Sequence, residues 1–210
     1  MYKDNPQTNY RIDLREKILR ASMREFLHKG VKSVKMDDIA NILGISKRTL
    51  YEIYSNKEEL LLECVRLHED EYDQQMAIYT ANKNHNVIDV IIEFYRRQIS
   101  NISDATPLFF QQLRKYENVL VFCENRRIER EKNAKKFFQR GVNEGYFRSD
   151  VDYFLVMRIG GAAIDMIMRD KMYSNYTMRE ILHNVIFIII RGLCTEEGIK
   201  KLDNFLKDNK

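Results

Sequence analysis

The apolar positions of the chain recur at helical intervals almost from end to end. Residues 12–29 show the pattern clearly, because Leu19, Met23, Phe26 and Leu27 lie on one side of a helix and charged residues fill the other. No segment alternates apolar and polar residues in the way of a half-buried strand, and no internal repeat is visible. The pattern therefore predicts an all-α protein.

Two short helices separated by a glycine turn are predicted at about 36–43 and 46–53. The first has apolar residues at i, i+3, i+4 and i+7, and Gly44 then supplies the left-handed backbone that commonly ends a helix. Ser46 can cap the second helix by accepting a hydrogen bond from a backbone N–H group ahead of it. The pair predicts a helix-turn-helix, a motif whose second helix meets base edges in the DNA major groove through its N-terminal residues.

Further helices are predicted along the rest of the chain. The polar segment 82–86 is the clearest break after the helix-turn-helix. Residues 186–190 would suit a strand in isolation, but an upstream cap and the length of the segment favour a buried helix. The predicted helices span about 56–81, 87–100, a segment that begins at Pro107, 117–144, a segment capped by Ser149 or Asp152 and ending near 170, 178–193, and a short last helix after Thr195. Capping boxes are predicted for Ser55 or Asn56 with Glu58 or Glu59, and for Thr177 with Glu180.

Positive charge is concentrated at the start of the chain. The net charge of the whole chain is +4 at pH 7. Residues 1–57 contain 12 Lys and Arg against 7 Asp and Glu, whereas the remaining residues contain 23 against 24. The excess therefore lies on the segment with the predicted helix-turn-helix, where contact with DNA phosphates would require it.

Several classes of protein are disfavoured by what the sequence lacks. The three cysteines are far apart and the four histidines are scattered, so no metal-ligand spacing is present. Neither a nucleophile–base signature nor a glycine-rich phosphate loop appears, which argues against an enzyme. The first residues lack the apolar core of a signal peptide, and no run approaches the ~20 apolar residues of a transmembrane helix. We therefore expect a cytoplasmic protein that uses no metal or cofactor and associates with no membrane.

Residues 15–65 resemble the N-terminal domain of the TetR family of bacterial transcriptional regulators. The matching segments are ILRASMREFLHKG and DDIANILGISKRTLYEIYSNKEELL, and the second is long and ungapped, which makes it more specific than a bare helix-turn-helix. The resemblance implies a DNA-binding helix-turn-helix domain with three helices at residues 1–55. For residues 56–210 it implies a helical-bundle domain that binds a small effector and dimerises through its last two long helices.

The first turn of the predicted recognition helix carries Lys47, Arg48 and Thr49. Arginine can grip guanine at two atoms, and threonine can meet a thymine methyl group. The alternative is a solvated charged turn, but basic charge at a helix N-terminus is mildly unfavourable for the helix dipole, which favours the functional interpretation. The residues expected to contact DNA are Lys35, Met36, Ser46, Lys47, Arg48, Thr49, Tyr51 and Lys57.

The resemblance adds expectations for five residues of this segment. Tyr51 lies where the family often contacts phosphate through a hydroxyl, whereas Tyr54 replaces an aromatic residue that usually packs between the head helices. Lys57 begins the fourth helix, where its ammonium and the N–H groups of the helix start can bind one phosphate; the alternative is a surface lysine. Lys35 replaces a threonine that commonly caps the helix and binds phosphate. Ile53 stands where another residue often touches the DNA backbone, so we expect that contact to be missing here.

The C-terminal part offers candidates for close helix packing and for an effector site. Residues 160–163, Gly-Gly-Ala-Ala, predict a close helix crossing at a dimer interface, beside a ligand pocket, or inside one subunit. Arg126, Arg127 and Arg130 are expected on a solvated face. Aromatic and methionine residues at helical spacing form plain core more often than a pocket. The candidate effector-site residues are Phe94, Phe109, Phe110, Leu113, Tyr116, Phe122, Met157, Ile164 and Met168.

Together these features predict a dimeric transcriptional regulator that responds to a ligand. The expected form is a repressor released from a double-stranded DNA operator by a small, partly apolar effector. Two alternatives stay open: a DNA-binding adaptor whose body binds a protein partner, and, ranked lower, an enzyme built on a helical body. A hydrophobic compound that shifts the melting temperature and weakens operator binding would distinguish the effector-controlled regulator from the adaptor.

Overall fold

A computed structural model of the chain describes residues 6–103 and 105–208, and almost all of them are helical. In chain order the helices are α1 (Pro6–Lys29), α2 (Met36–Leu43), α3 (Lys47–Ile53), α4 (Lys57–Ala81), α5 (Val87–Ser103), α6 (Pro107–Leu113), α7 (Glu117–Asn143), α8 (Tyr153–Arg169), α9 (Met178–Leu182), α10 (Ile188–Leu193) and α11 (Glu196–Asp208). A π-helical segment, His183–Phe187, joins α9 to α10. The described residues contain no strand, and Phe147 and Cys194 form an isolated bridge. The predicted all-α fold is confirmed.

The described chain divides into two compact units. The first comprises the described residues up to Tyr72 together with Ala105–Phe122, and the second comprises the described residues from Asp73 to 103 and from Cys123 onward. Both α4 and α7 therefore contribute residues to each unit. The predicted division into residues 1–55 and 56–210 separates DNA binding from effector binding and dimerisation, whereas the two compact units are defined by packing. The predicted division stays a prediction.

The first three helices and the start of α4 bury one apolar core in the first unit. Ile18 and Phe26 of α1, Ile39 of α2, Leu50 of α3 and Leu60 of α4 are fully buried. Burial of several such side chains is the main force that holds short helices together, because helices of this length are marginal in isolation. The head with three helices, which the resemblance of residues 15–65 implies, is therefore confirmed.

Helix α6 is hydrogen-bonded to the end of α1. The N–H and the hydroxyl of Thr106 both donate to the carbonyl oxygen of Leu27, at 2.8 and 3.0 Å. The side-chain oxygen of Gln112 accepts from the backbone N–H of Lys32 at 2.6 Å. The two bonds from Thr106 satisfy the carbonyl group of Leu27, which lies in the last turn of α1 and has no partner within its own helix. Residues 105–122 therefore pack with the head, although they are distant from it in sequence.

Phe147 lies at the centre of the aromatic core of the second unit. Its ring centroid lies 5.8 Å from that of Phe137 and 6.1 Å from that of Phe138, both on α7, and Tyr153 stacks on Phe138 at 4.4 Å. A Cβ added to Gly141 would lie only 1.9 Å from Cδ2 of Phe147. The close approach of this ring to the backbone of α7 explains why glycine occupies that helical position.

Gly141→Ala is expected to destabilise the fold by about 1–3 kcal/mol, because the added methyl group overlaps the Phe147 ring in a packed core. Gly161→Ala is the matched control, since a Cβ there meets nothing within 4 Å and a helix interior favours Ala over Gly by roughly 1 kcal/mol. Urea unfolding followed by circular dichroism gives both free energies of unfolding. Equal stability of the two variants would contradict the packing described for Phe147.

The structure corrects three expectations. Helix α1 begins at Pro6, six residues earlier than its apolar pattern indicated. Ile188, expected in a buried helix, is helical but 65% exposed. Arg126 and Arg130, expected on a solvated face, are half-buried and lie 3.4 and 2.7 Å from the carboxylate of Asp73 on α4. Helical periodicity shows that a helix has two faces, but it does not show which neighbour covers them.

The small residues of α8 meet two different surroundings. A Cβ added to Gly160 would lie at the ordinary contact distance of 3.5 Å from Cδ1 of Ile189, so Gly160 faces a helix of the same subunit. Ala162 is exposed in the single chain. Gly160 therefore makes an ordinary packing contact within one subunit, Ala162 is exposed, and the close crossing predicted for residues 160–163 stays a prediction.

No helix in the part of the chain that the structure describes combines the length and the apolar character needed to cross a lipid bilayer. Among the same residues, no three His, Cys, Asp or Glu side chains are grouped as metal ligands would be.

Candidate nucleic-acid interface

The turn between α2 and α3 has the geometry that the sequence predicts. Gly44 adopts a left-handed φ of 64°, and the N–H of Ile45 donates to the carbonyl oxygen of Ala40 at 3.0 Å, which closes the end of α2. The Ser46 hydroxyl accepts from the N–H of Thr49 at 3.0 Å and so caps α3. Because hydrogen bonds within the turn close both helix ends, the predicted helix-turn-helix geometry is confirmed.

The start of α2 is closed by an acidic side chain. The N–H of Lys35 donates to Oδ2 of Asp38 at 2.9 Å, which is one half of a capping box. A lysine ammonium cannot accept a hydrogen bond, so Lys35 cannot supply the other half. Its side chain is exposed, as a phosphate contact would need, whereas the side chain of Met36 is buried. Any contact of Met36 with DNA would therefore use its backbone.

The first turn of α3 presents two basic side chains to solvent. Lys47 and Arg48 are exposed, while Thr49 is half-buried with its hydroxyl 2.8 Å from that of Ser46. The Lys47 ammonium contacts the carboxylate of Asp37 on α2, and this hydrogen bond raises the pKa of Lys47. Lys47 is therefore fully charged at neutral pH, as contact with DNA requires.

The two tyrosines of this segment differ in burial. Tyr51 is 48% exposed, whereas Tyr54 is fully buried. The guanidinium of Arg15 lies over the Tyr54 ring, 5.5 Å from its centroid, and burial raises the pKa of the Tyr54 hydroxyl. The packing role expected for Tyr54 is confirmed. The phosphate contact expected for Tyr51 stays a prediction, and the exposure of its side chain is compatible with it.

The Lys57 ammonium is turned toward the connector between α1 and α2. It donates to the carbonyl oxygens of Val31 and Val34 at 2.9 and 3.0 Å. Burial lowers the pKa of this lysine. In this arrangement Lys57 holds the connector against the start of α4. A phosphate contact through the ammonium would require these bonds to be exchanged, whereas the backbone N–H groups of the first turn of α4 need no such change.

Two residues share the cap of α4. Oδ1 of Asn56 accepts from the N–H of Glu59 at 2.9 Å, and the Glu59 carboxylate accepts from the N–H of Ser55 at 2.8 Å. The hydrogen bonds from Ser55 lower the pKa of Glu59. The predicted capping box is confirmed in this divided form, with Glu59 as its acidic member.

The nine effector-site candidates are divided between the two compact units. Phe109 is buried and the other eight are half-buried. The Arg66 guanidinium lies over the ring of Phe122, 5.1 Å from its centroid. The first unit contains Phe109, Phe110, Leu113, Tyr116 and Phe122, and the second contains Phe94, Met157, Ile164 and Met168. Half-burial is compatible with both core packing and contact with a ligand, so the effector-site role of these residues stays a prediction.

The second unit contains a cluster of polar and aromatic side chains that no sequence pattern predicts. The Tyr95 hydroxyl and Nδ1 of His183 are 2.8 Å apart, and the His183 ring stacks on Phe187 with centroids 5.3 Å apart. Burial raises the pKa of Tyr95. His183 begins the π-helical segment, an irregularity that is frequent at functional sites. Because 88 residues separate Tyr95 from His183, no rule of local spacing could have paired them.

A capped helix-turn-helix with an exposed basic turn on its second helix defines the head as the DNA-binding domain of a transcription regulator. Residues 18–64 match the family described as bacterial regulatory proteins, tetR family. This match lies within residues 15–65, and it confirms the resemblance of that segment to the TetR family of bacterial transcriptional regulators.

The similarity extends along most of the chain. The HTH-type transcriptional repressor KstR2 of Mycobacterium tuberculosis is 27% identical over 198 residues, which cover 88% of this chain and 94% of the relative. A putative transcriptional regulator from Saccharomonospora viridis, solved in complex with choline, has a TM-score of 0.67 at 18% identity and covers 88% of this chain and 99% of its own. A TetR family regulator from Agrobacterium tumefaciens has a TM-score of 0.68 at 15% identity, with coverages of 91% and 100%. These two structures establish a common fold.

Proposed function

We propose that the protein is a dimeric transcriptional repressor that a small-molecule effector releases from its operator. The observation that carries this proposal is the exposed basic first turn of α3 on a capped helix-turn-helix. Each head would place residues 46–53 in a major groove. The two half-sites would lie about one helical turn, ~34–36 Å, or a little more apart.

Exposure and charge support the DNA contacts. Lys35, Lys47, Arg48 and Tyr51 all expose their side chains on the helix-turn-helix. Lys47 and Arg48 extend from the turn that meets base edges in this motif, while Lys35 and Tyr51 can reach phosphates beside it. The head therefore offers both sequence-reading and positioning contacts.

The named relatives support repression and an effector. The relative from Mycobacterium tuberculosis is named a repressor, and the neighbour from Saccharomonospora viridis was solved with choline. Half-buried aromatic and methionine side chains in the helical body fit a small, partly apolar effector. A protein partner that acts on the body in place of an effector is the alternative.

An exposed apolar stripe on α8 supports the dimer. Leu155, Ile159 and Met166 are 55%, 56% and 43% exposed, and Ala162 lies between them on the same helix face. Ile188 of α10, a helix that packs on α8, is also exposed. Contiguous apolar surface of this kind marks an interaction site, and a two-fold pairing of α8 with its copy would cover it on both subunits.

Helix α6 offers a route from the effector to the head. An effector can release the operator only if it binds two arrangements of the heads with different affinity. Hydrogen bonds join Thr106, which precedes α6, to Leu27 in the last turn of α1, and Gln112 of α6 to Lys32 in the connector after α1. An effector that displaces α6 in one arrangement would therefore carry α1 of the head with it.

A gel-shift experiment on DNA flanking the protein's own gene tests the proposal. Retarded migration of a specific fragment is the expected result. A hydrophobic compound that raises the melting temperature and weakens this binding would support release by an effector. Binding that no compound alters, but that a co-purifying protein abolishes, would support the adaptor instead.

Operator affinity is expected to fall steeply with salt, because Lys and Arg contacts displace counterions from phosphates. A dimer that neutralises about six to ten phosphates would lose roughly 10³–10⁵ in affinity between about 50 and 200 mM salt. Fluorescence anisotropy of a labelled operator fragment at several salt concentrations measures the slope. A flat response would contradict an interface dominated by phosphate contacts.

A further inference from the structure

Each of the two exposed cations at the start of α3 is paired with a carboxylate of the same head. The Lys47 ammonium contacts Oδ2 of Asp37 in the first turn of α2. Nε of Arg48 lies 2.8 Å from Oε1 of Glu52, one turn further along α3. All four side chains are well exposed. Two carboxylates therefore share the surface that the proposed function directs toward DNA.

Head stability does not account for both carboxylates. Exposed ion pairs contribute little to folding. Asp37 lies near a helix N-terminus, where the helix dipole favours a negative charge, but Glu52 lies in the last turn of α3, where the dipole disfavours one. In addition, an arginine four residues before a glutamate is the less favourable order for a pair within a helix. Glu52 in particular needs another explanation.

DNA supplies that explanation, because a carboxylate beside phosphates acts against binding. On DNA of arbitrary sequence, Lys47 or Arg48 must leave its carboxylate to reach a phosphate, and the carboxylate is then left unpaired in a strongly negative field. On a matching site, a carboxylate can accept a hydrogen bond from the amino group of cytosine in the major groove. The carboxylates of Asp37 and Glu52 therefore weaken binding to DNA of arbitrary sequence more than they weaken binding to a matching site.

We propose that Asp37 and Glu52 are specificity-determining residues that hold Lys47 and Arg48 and oppose binding to DNA of unrelated sequence. This inference rests on the proposed DNA-binding function. The two carboxylates would repel DNA phosphates on the same surface where Lys47 and Arg48 attract them. Discrimination between binding partners often requires both attraction and repulsion.

The test uses the full chain with Asp37→Asn and Glu52→Gln combined. The probe is a fluorescently labelled duplex of random sequence, and binding is followed by anisotropy at several salt concentrations. The variant is expected to bind this duplex roughly tenfold more tightly than the wild type, with a salt slope steeper by about one to two ions. Against a fragment that gel shift identifies as the operator, the ratio of specific to random affinity should fall.

A control with the same change in net charge separates local from global electrostatics. Glu124→Gln combined with Glu131→Gln removes two carboxylates that both pair with Arg127 on α7. This control is expected to change affinity for random DNA less than twofold, since both glutamates lie on α7, outside the helix-turn-helix. Thermal melting by circular dichroism confirms that each variant is folded, and the two single variants replace the double variant if it is not.

The outcomes distinguish this inference from the proposed function. If the wild type binds DNA with a steep salt response and the folded Asp37/Glu52 variant binds random DNA no more tightly, the specificity role is wrong and the DNA-binding function stands. If the α7 control tightens binding equally, net charge rather than position is responsible, and the inference also fails. If the wild type binds no DNA at all, the proposed function itself fails.

Discussion

Replacing Lys47 and Arg48 together with alanine is expected to weaken operator binding at least about a hundredfold, since each good base contact contributes roughly tenfold or more. The melting curve should stay nearly unchanged, because both side chains are exposed and form only exposed ion pairs with Asp37 and Glu52. The salt slope should fall by about one for each phosphate contact that is lost. Anisotropy on the operator fragment and thermal melting by circular dichroism measure these effects.

Arg127→Ala provides the matched control for this variant. Arg127 is also exposed and ion-paired within its own helix, but it lies on α7 outside the helix-turn-helix. The Arg127→Ala variant should leave operator affinity within about twofold of the wild type, because Arg127 is not among the residues expected to contact DNA. Unchanged operator binding by the Lys47/Arg48 variant would show that α3 is not the helix that reads DNA.

Ile159→Glu is expected to convert the dimer to a monomer. Ile159 is 56% exposed in one chain and lies within the apolar stripe between Leu155 and Met166. Burying an unpaired carboxylate in an apolar interface costs roughly several kcal/mol, and two-fold symmetry places one on each subunit. Operator binding should be lost with the dimer, because linked heads bind two half-sites far more tightly than one head binds either. Sedimentation velocity and anisotropy measure the two effects.

Ile78→Glu is the control for the dimer prediction. Ile78 is 67% exposed on α4, so it matches Ile159 in residue type and exposure but lies outside the stripe on α8. This variant should remain dimeric and should bind the operator normally. A dimer that survives Ile159→Glu, or a wild type that is monomeric at micromolar concentration, would remove α8 as the dimer interface.

The parts of the fold that could be predicted from the chain alone are those in which the interacting atoms are close in sequence. The Ser46 cap reaches only to Thr49, the left-handed turn is a property of Gly44, and the box of Thr177 and Glu180 spans three residues. Each depends on local backbone geometry and on side-chain chemistry that a few consecutive residues supply. The helix-turn-helix and its exposed basic turn were predictable for the same reason.

Contacts between distant residues could not be predicted in this way. Lys57 was expected to direct its ammonium toward a phosphate, but Val31 and Val34 accept from it. Tyr95 meets His183 across 88 residues, and no local pattern encodes that distance. Such pairings depend on which helix faces come together, and helical periodicity leaves that choice open.

The exposure of apolar residues in the body could not be predicted from the sequence either. The sequence was sufficient to indicate that Ile159 and Ile188 lie on helices, because apolar spacing and capping residues act within a few turns. It could not indicate that both are exposed in one chain, since burial depends on neighbours that only folding brings near. The local code therefore specified the DNA-reading head, whereas the arrangement of helices in space specified the apolar surface that a second subunit would cover.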